Sequence, residues 1–207
     1  MDDGPRGRFI VIEGIDGSGT TLQTRAVADW LTARGHRVLE TREPSTGAIG
    51  ALARQRLRVD ADAAPVTLAL LFAADRLDHI AREVAPALAA GFVVLSDRYL
   101  MSSLAYQALD CDPQWIRQIN RHAPAPDLTL VLDVPADVAF ARAQRRTADG
   151  GSVAERFDAL AVQRRLADHY RGLHGDPDLG PMVVVDGDRP PEVVTDALAQ
   201  ALLRAGL

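Results

Sequence analysis

Five short apolar or β-branched runs recur along the chain: "FIVIE" (9–13), "RVLET" (37–41), "FVVLSD" (92–97), "LTLVLDV" (128–134) and "MVVVD" (182–186). They lack the polar alternation of a half-exposed strand, so they predict strands buried on both faces. Helical periodicity fills the intervals, over 20–34, 48–58, 65–90, 100–109, 113–122, 135–147, 153–174 and 190–205. This alternation predicts an α/β fold: a five-stranded parallel sheet with helices on both faces and right-handed crossovers. Ligands of such sheets bind beyond the carboxyl ends of the strands. The residues that follow each strand are therefore the first place to look for chemistry.

No internal repeat or linker divides the chain, and 207 residues suit one domain spanning 1–207. One charge-rich insertion stands out, "RRTADGGSVAERFD" (145–158), where Gly150 and Gly151 separate two helical patterns. It reads either as a plain turn between solvated helix ends or as a short lid that carries arginine onto a phosphate.

Behind the first strand comes "EGIDGSGTT" (13–21). Gly14, Gly19 and Thr21 meet the phosphate-loop pattern G-x-x-x-x-G-K-[ST], but the lysine position holds Thr20. A glycine-rich turn between strand and helix offers successive backbone N–H groups to anionic oxygens, and Gly14, Gly17, Ser18 and Gly19 supply that path independently of residue 20. Thr21 keeps the hydroxyl that the motif places on Mg²⁺. What is lost is the ammonium that reaches the β/γ-phosphates. The bland alternative is an ordinary glycine turn.

Composition sharpens that loss. All 23 basic residues are arginine, so no other lysine stands in. The formal net charge of -5 argues against a general nucleic-acid coat. Cys111 is the only cysteine, which excludes a disulfide framework and a thiolate metal site. No apolar stretch approaches the roughly 18 residues of a membrane span, and "MDDGPRGR" lacks a signal-peptide core. The expectation is a soluble, cytoplasmic protein. His36, His79, His122, His169 and His174 show no metal-ligand spacing and read as surface or satisfied residues.

Further segments, "TREPSTG" (41–47), "LLFAADRLDHI" (70–80), "SDRYLMSSLAYQ" (96–107) and "LVLDVPADVAFARAQRR" (130–146), follow in the order and spacing of thymidylate kinases. From "FIVIEGIDGSGTT" to "VVVDGDRPPEVV" the whole chain resembles that family. The resemblance implies a P-loop kinase fold, a homodimer, and transfer of the γ-phosphoryl of ATP to dTMP with Mg²⁺. It implies that Phe72 stacks on thymine, that Arg76 hydrogen-bonds the base, and that Arg98 holds the acceptor phosphate. Asp16 matches an acidic residue near sugar and metal, and Asp97 falls where a carboxylate meets the magnesium shell. Ser103, Tyr106 and Gln107 match contacts to the base edge and sugar, and Glu43 with Pro44 matches the turn beside the acceptor. Arg42 is the other charged member of that turn. Between Gly14 and Gly19 there is no basic residue, so the chain resembles the members whose catalytic arginine sits in the lid. Arg145, Arg146 and Arg156, with Arg142 one turn earlier, are the candidates to replace the lysine over the ATP phosphates.

Each residue also has a plainer reading. Phe72, at helical spacing with Leu68 and Leu71, suits a core; Asp75–Arg76 suits a solvated pair; Asp97–Arg98 suits a helix start and its surface partner. At the level of function, the rivals are a non-catalytic nucleotide binder of the same fold and a kinase for another nucleoside monophosphate.

Overall fold

The computed structural model describes residues 6–57, 63–148, 157 and 159–207. Five strands, β1 (Arg8–Glu13), β2 (Val38–Arg42), β3 (Val93–Asp97), β4 (Leu128–Asp133) and β5 (Met182–Asp186), pair in parallel in the order β2-β3-β1-β4-β5. Each lies within a residue or so of its predicted span. The pleat sends alternate side chains to opposite faces. Ile10 and Ile12 of β1 join Leu95 and Leu130 in a core with Val27 and Leu31 of α1 (Thr20–Ala33) and Leu198 and Leu202 of α9 (Pro191–Arg204). Phe9 and Val11 point the other way, into a core with Leu68 of α3 (Pro65–His79), Leu104 of α5 (Leu100–Tyr106), Ile116 of α6 (Pro113–Asn120) and Leu166 of α8 (Leu160–Gly172). The central strands are buried on both faces because helices cover both, which is why their sequences read as unbroken apolar runs.

Several predicted helices are modified. The span 65–90 is helical throughout, but a π-helical turn, Ile80–Val84, separates α3 from α4 (Ala85–Ala89). Pro86 follows that turn; in a regular helix its ring would press on the carbonyl four residues back, and the wider turn relieves this. The span 100–109 is α5 followed by a tighter 3₁₀ turn, Gln107–Leu109. The helix predicted from 153 starts at Leu160, after Ala159 in an extended conformation; 153–156 and 158 lie outside the described residues. Two further helices, α2 (Ala48–Leu57) and α7 (Ala136–Ala148), complete the set among the described residues. No helix among them is long and apolar enough to cross a membrane.

His79 closes α3 and is buried. Its Nε2 lies 2.8 Å from Thr41 Oγ1 and 3.5 Å from Glu83, and its Nδ1 lies 3.4 Å from Glu43. Burial disfavours the imidazolium, but Glu43, Glu83 and Asp75 outweigh it, and the pKa is raised from 6.5. A raised cationic pKa stabilises the fold fully below the unfolded value, and that stability is lost as pH rises through the folded one. The thermal midpoint of the protein is therefore expected to fall as pH climbs above 6.5. His79→Gln should flatten that part of the profile in a pH-resolved melting series.

Candidate active site

The phosphate loop is shaped by contacts that only small residues allow. Gly17 (φ 85°) and Gly19 (φ 98°) adopt left-handed backbone. A Cβ on Gly17 would also lie 2.0 Å from the carbonyl oxygen of Ala139 in α7. The Ser18 N–H donates to Ile15 O at 3.0 Å and closes the turn. Gly19 then starts α1, whose first turn has no acidic side chain and no side-chain cap. The leading N–H groups and positive dipole end of α1 are left for an anion. Thr20 is buried at the wall of the cleft this loop borders, and among the described residues its hydroxyl makes no hydrogen bond. The Thr21 hydroxyl donates to Asp97 Oδ2 at 2.5 Å, joining the loop to the end of β3.

Beyond Asp97, Arg98 has φ 72°, the only positive value at a non-glycine position among the described residues. Such a conformation costs about 1–3 kcal/mol and persists where its surroundings enforce it. Arg98 N–H donates to Ile12 O at 2.9 Å, and its carbonyl accepts from the Ser96 hydroxyl at 2.7 Å. The side chain turns back over the loop: Nη2 donates to Asp16 Oδ1 at 2.6 Å and Nη1 to Gly14 O at 2.8 Å. Burial alone would disfavour this cation, yet Tyr106, Asp16, Tyr170 and Asp97 raise its pKa well above the ordinary value. It is a fixed positive charge, not a surface partner.

A second hub lies deeper. Arg76 is 1% exposed. Its Nε and Nη2 meet Glu43 Oε2 at 2.9 and 2.7 Å, Nη1 donates to Asn120 Oδ1, and Nη2 also donates to Tyr99 O and Ser103 Oγ, each at 3.0 Å. Neighbouring Asp75 accepts from the Ser45 N–H at 2.7 Å and its hydroxyl at 2.5 Å. The pair is structural rather than solvated. The guanidinium still borders the cleft, with one Nη1 hydrogen left for a ligand.

These elements enclose a cleft of about 460 Å³ at the carboxyl edge of the sheet. Asp16, Gly17, Gly19, Thr20 and Thr21 line one side, with Asp97 and Arg98 at the floor. Glu43, Pro44, Phe72, Arg76, Ser103, Tyr106 and Gln107 line the other. Phe72 is half-buried: one part packs on the core and another borders the cleft. Gly14 and Ser18 shape the loop from behind without lining the cleft, and Gly14 lies against Leu132 O. Of the four arginines proposed to replace the lysine, Arg146 of α7 lines the cleft. Arg142 instead binds Gly187 O and Asp188, each at 3.0 Å. Arg145 also ends α7 but does not border the cleft, and Arg156 lies outside the described residues, as does most of the expected lid.

Sequence reasoning missed several participants. Arg54 lines the cleft and donates to Pro44 O and Ser45 O at 2.8 and 2.6 Å; Arg42, named from the sequence only as a member of the acceptor turn and given no role, lines it too and has no ion pair among the described residues. With Arg146 they give the cleft an excess of positive charge suited to phosphates. Glu13 and Tyr170 brace it from behind. The one available signal for Glu13 was a carboxylate inside an otherwise apolar strand run.

The thymidylate kinase family model matches residues 12–198. A probable thymidylate kinase of Pyrococcus horikoshii is 41% identical over 174 residues, covering 81% of this chain and 83% of the relative. The thymidylate kinase of Thermomicrobium roseum is 40% identical over 196 residues, with 92% of this chain and 91% of the relative covered. That of Caulobacter vibrioides is 40% identical over 212 residues, covering 98% of this chain and 99% of the relative. A fold, a phosphate loop and an arginine-lined cleft in one arrangement thus coincide with likeness along most of the sequence, and the chain belongs to the thymidylate kinase family.

Proposed function

We infer that the protein transfers the γ-phosphoryl of ATP to dTMP, giving ADP and dTDP. The observation that carries this reading is a cleft that brings together the phosphate loop and Phe72, Arg76 and Gln107. Phe72 offers an aromatic face to thymine. Gln107 Oε1 is buried with no partner among the described residues, and suits the base N3–H. The remaining Nη1 hydrogen of Arg76 suits a base carbonyl, with Ser103 beside it. Tyr106 stands over the sugar, where its ring resists a 2′-hydroxyl. Arg98 holds the acceptor phosphate, next to Asp16.

On the donor side, the loop N–H groups other than that of Ser18, which is bonded to Ile15 O, and those at the start of α1 cradle the ATP phosphates, and Arg142, beside Gly187 and Asp188, flanks the nucleotide. Mg²⁺ suits the residues present: Asp97 Oδ1 is buried and has no partner among the described residues, and the Thr21 hydroxyl sits on its other oxygen. Among the described residues no cluster of three or more His, Cys, Asp or Glu could hold a metal. That fits an ion bound by one carboxylate, one hydroxyl and substrate oxygens. When bound, it neutralises charge developing on the phosphates. An acceptor phosphate oxygen attacks the γ-phosphorus in line, and the β–γ bridging oxygen leaves with ADP. The charge that Thr20 does not supply falls to Arg146, the described arginine of the four that borders the cleft.

We also propose a homodimer, as the family resemblance implies. Leu68, Ala69 and Ala73 of α3 face the core, whereas Val66, Leu70 and Leu77 of the same helix are exposed, with Leu52 of α2. That stripe is the face we assign to a second copy.

Three outcomes test these assignments. In a coupled ADP-release assay with dTMP, ATP and Mg²⁺, Thr20→Lys should raise kcat over the parent, since one donor to a charged transition state is commonly worth about 10²–10³ in rate. Equal turnover in both would sink the idea that the loop is electrostatically incomplete; silence from both, with dTMP still bound, would favour the non-catalytic reading. Arg146→Ala should lower parent kcat by about 10²-fold or more, and Arg145→Ala by much less. Sedimentation should find a dimer that Leu70→Glu dissociates, and a parent that sediments as a monomer would refute the assigned face.

A further inference from the structure

Glu13 ends β1, one residue before the phosphate loop, and is fully buried at 0% exposure. Its Oε1 accepts the backbone N–H groups of Tyr99 (2.8 Å) and Ser102 (3.1 Å). Its Oε2 accepts the hydroxyls of Ser102 (2.7 Å) and Tyr170 (3.0 Å). Four donors, from the start of α5 and from α8, converge on one carboxylate. Burial raises its pKa, and the Arg98 charge is the largest opposing influence. A strand core alone would be better served by an apolar side chain than by a buried carboxyl group.

The same hydroxyls face Arg98. Its Nη1 lies 3.2 Å from Ser102 Oγ and 3.4 Å from Tyr170 Oη. Glu13 also holds the N–H that follows the left-handed turn at Arg98, and so holds the chain where that conformation must be maintained. Arg98 is thus fixed on its backbone side and on its guanidinium side by groups that share Glu13 as acceptor. The Tyr170 ring completes the wall by meeting Tyr106 edge-on, with centroids 6.3 Å apart.

We propose that Glu13 is a positioning residue for phosphoryl transfer: through Tyr99, Ser102 and Tyr170 it fixes the Arg98 guanidinium on the acceptor side of the cleft. The inference rests on the reading of Arg98 as the ligand of the acceptor phosphate. Glu13 itself touches no substrate. Its effect therefore falls on the acceptor and spares the donor.

The test compares the parent, Glu13→Gln and Tyr170→Phe by calorimetric titration with dTMP and, separately, ATP with Mg²⁺, with thermal unfolding recorded for each. Glu13→Gln keeps the shape but turns an acceptor oxygen into a donor facing two hydroxyls. It should weaken dTMP binding about tenfold while ATP affinity stays within about twofold, because misplacement of a positioning group is costly where it acts. Tyr170→Phe should shift dTMP affinity in the same direction by less, and it carries the test alone if Glu13→Gln does not fold. Parent-like dTMP affinity in the folded variants would overturn the inference. Equal losses for dTMP and ATP that track a fall in melting temperature would also overturn it, since that is the signature of a purely structural role. A parent that binds ATP but no dTMP would instead bring down the acceptor reading, and this inference with it.

Discussion

The buried pair of Arg76 and Glu43 is the contact on which the acceptor half of the cleft depends. It joins the turn after β2 to α3, and the same guanidinium reaches Asn120 at the end of α6 and Tyr99 and Ser103 around α5. Four chain segments far apart in sequence meet on one side chain. Buried ion pairs contribute little net stability against an apolar alternative, but removing one partner costs about 3–5 kcal/mol because the other charge is stranded. The value of the pair is therefore geometric. It places Phe72, one helical turn before Arg76, and Ser103, its own ligand, on the same wall. His79, a turn later, leans on the other oxygen of Glu43 and extends the network to β2.

The donor half is organised differently. Its ligands are main-chain N–H groups held by left-handed glycines and by the close approach of Gly17 to α7. Such a cradle does not depend on a lysine, because no part of it runs through the side chain of residue 20. Charge is a different matter. Arginine and lysine are not interchangeable: a compact ammonium on a flexible stem reaches between phosphates, whereas a planar guanidinium approaches from the side. On the proposed reading, a chain without lysine brings that charge from a neighbouring wall, and Arg146 lines the cleft.

The sheet was legible because burial on both faces removes ambiguity from a strand: β1, β3 and β4 are bounded within a residue or so by where their apolar runs stop. The π-helical turn was less legible. Helical periodicity passes through 65–90 unbroken, and Pro86 marks an interruption without saying whether the helix kinks, ends or widens. Among the residues that line the cleft, those that follow strands or sit in recognisable segments were legible in the sequence: Asp16, Thr21, Asp97, Arg98, Phe72. Arg76 was found with only part of its work understood, because Asn120 lies 44 positions away and no local pattern joins them. Glu13 and Tyr170, 157 positions apart, were missed for the same reason. Long-range polar networks leave no periodic trace; their only local mark is a polar residue where the strand pattern wants an apolar one.

The two halves differ in when their cost of organisation is met. On the acceptor side, Arg76, Glu43, Asp75 and Arg98 already hold most of their hydrogen bonds within the protein, so a nucleotide entering there meets groups that need not be ordered again. On the donor side, Asp97 Oδ1 is buried without a partner among the described residues, and Arg146 has no ion pair there. On the proposed reading, those groups gain their partners when phosphate and cation arrive. Acceptor recognition is thus built into the folded chain, whereas the electrostatics of transfer are assembled with the donor. Thr20 lies wholly in the second half, so on the proposed reading the absence of a lysine there bears on the step in which charge moves and not on the framework that binds the acceptor.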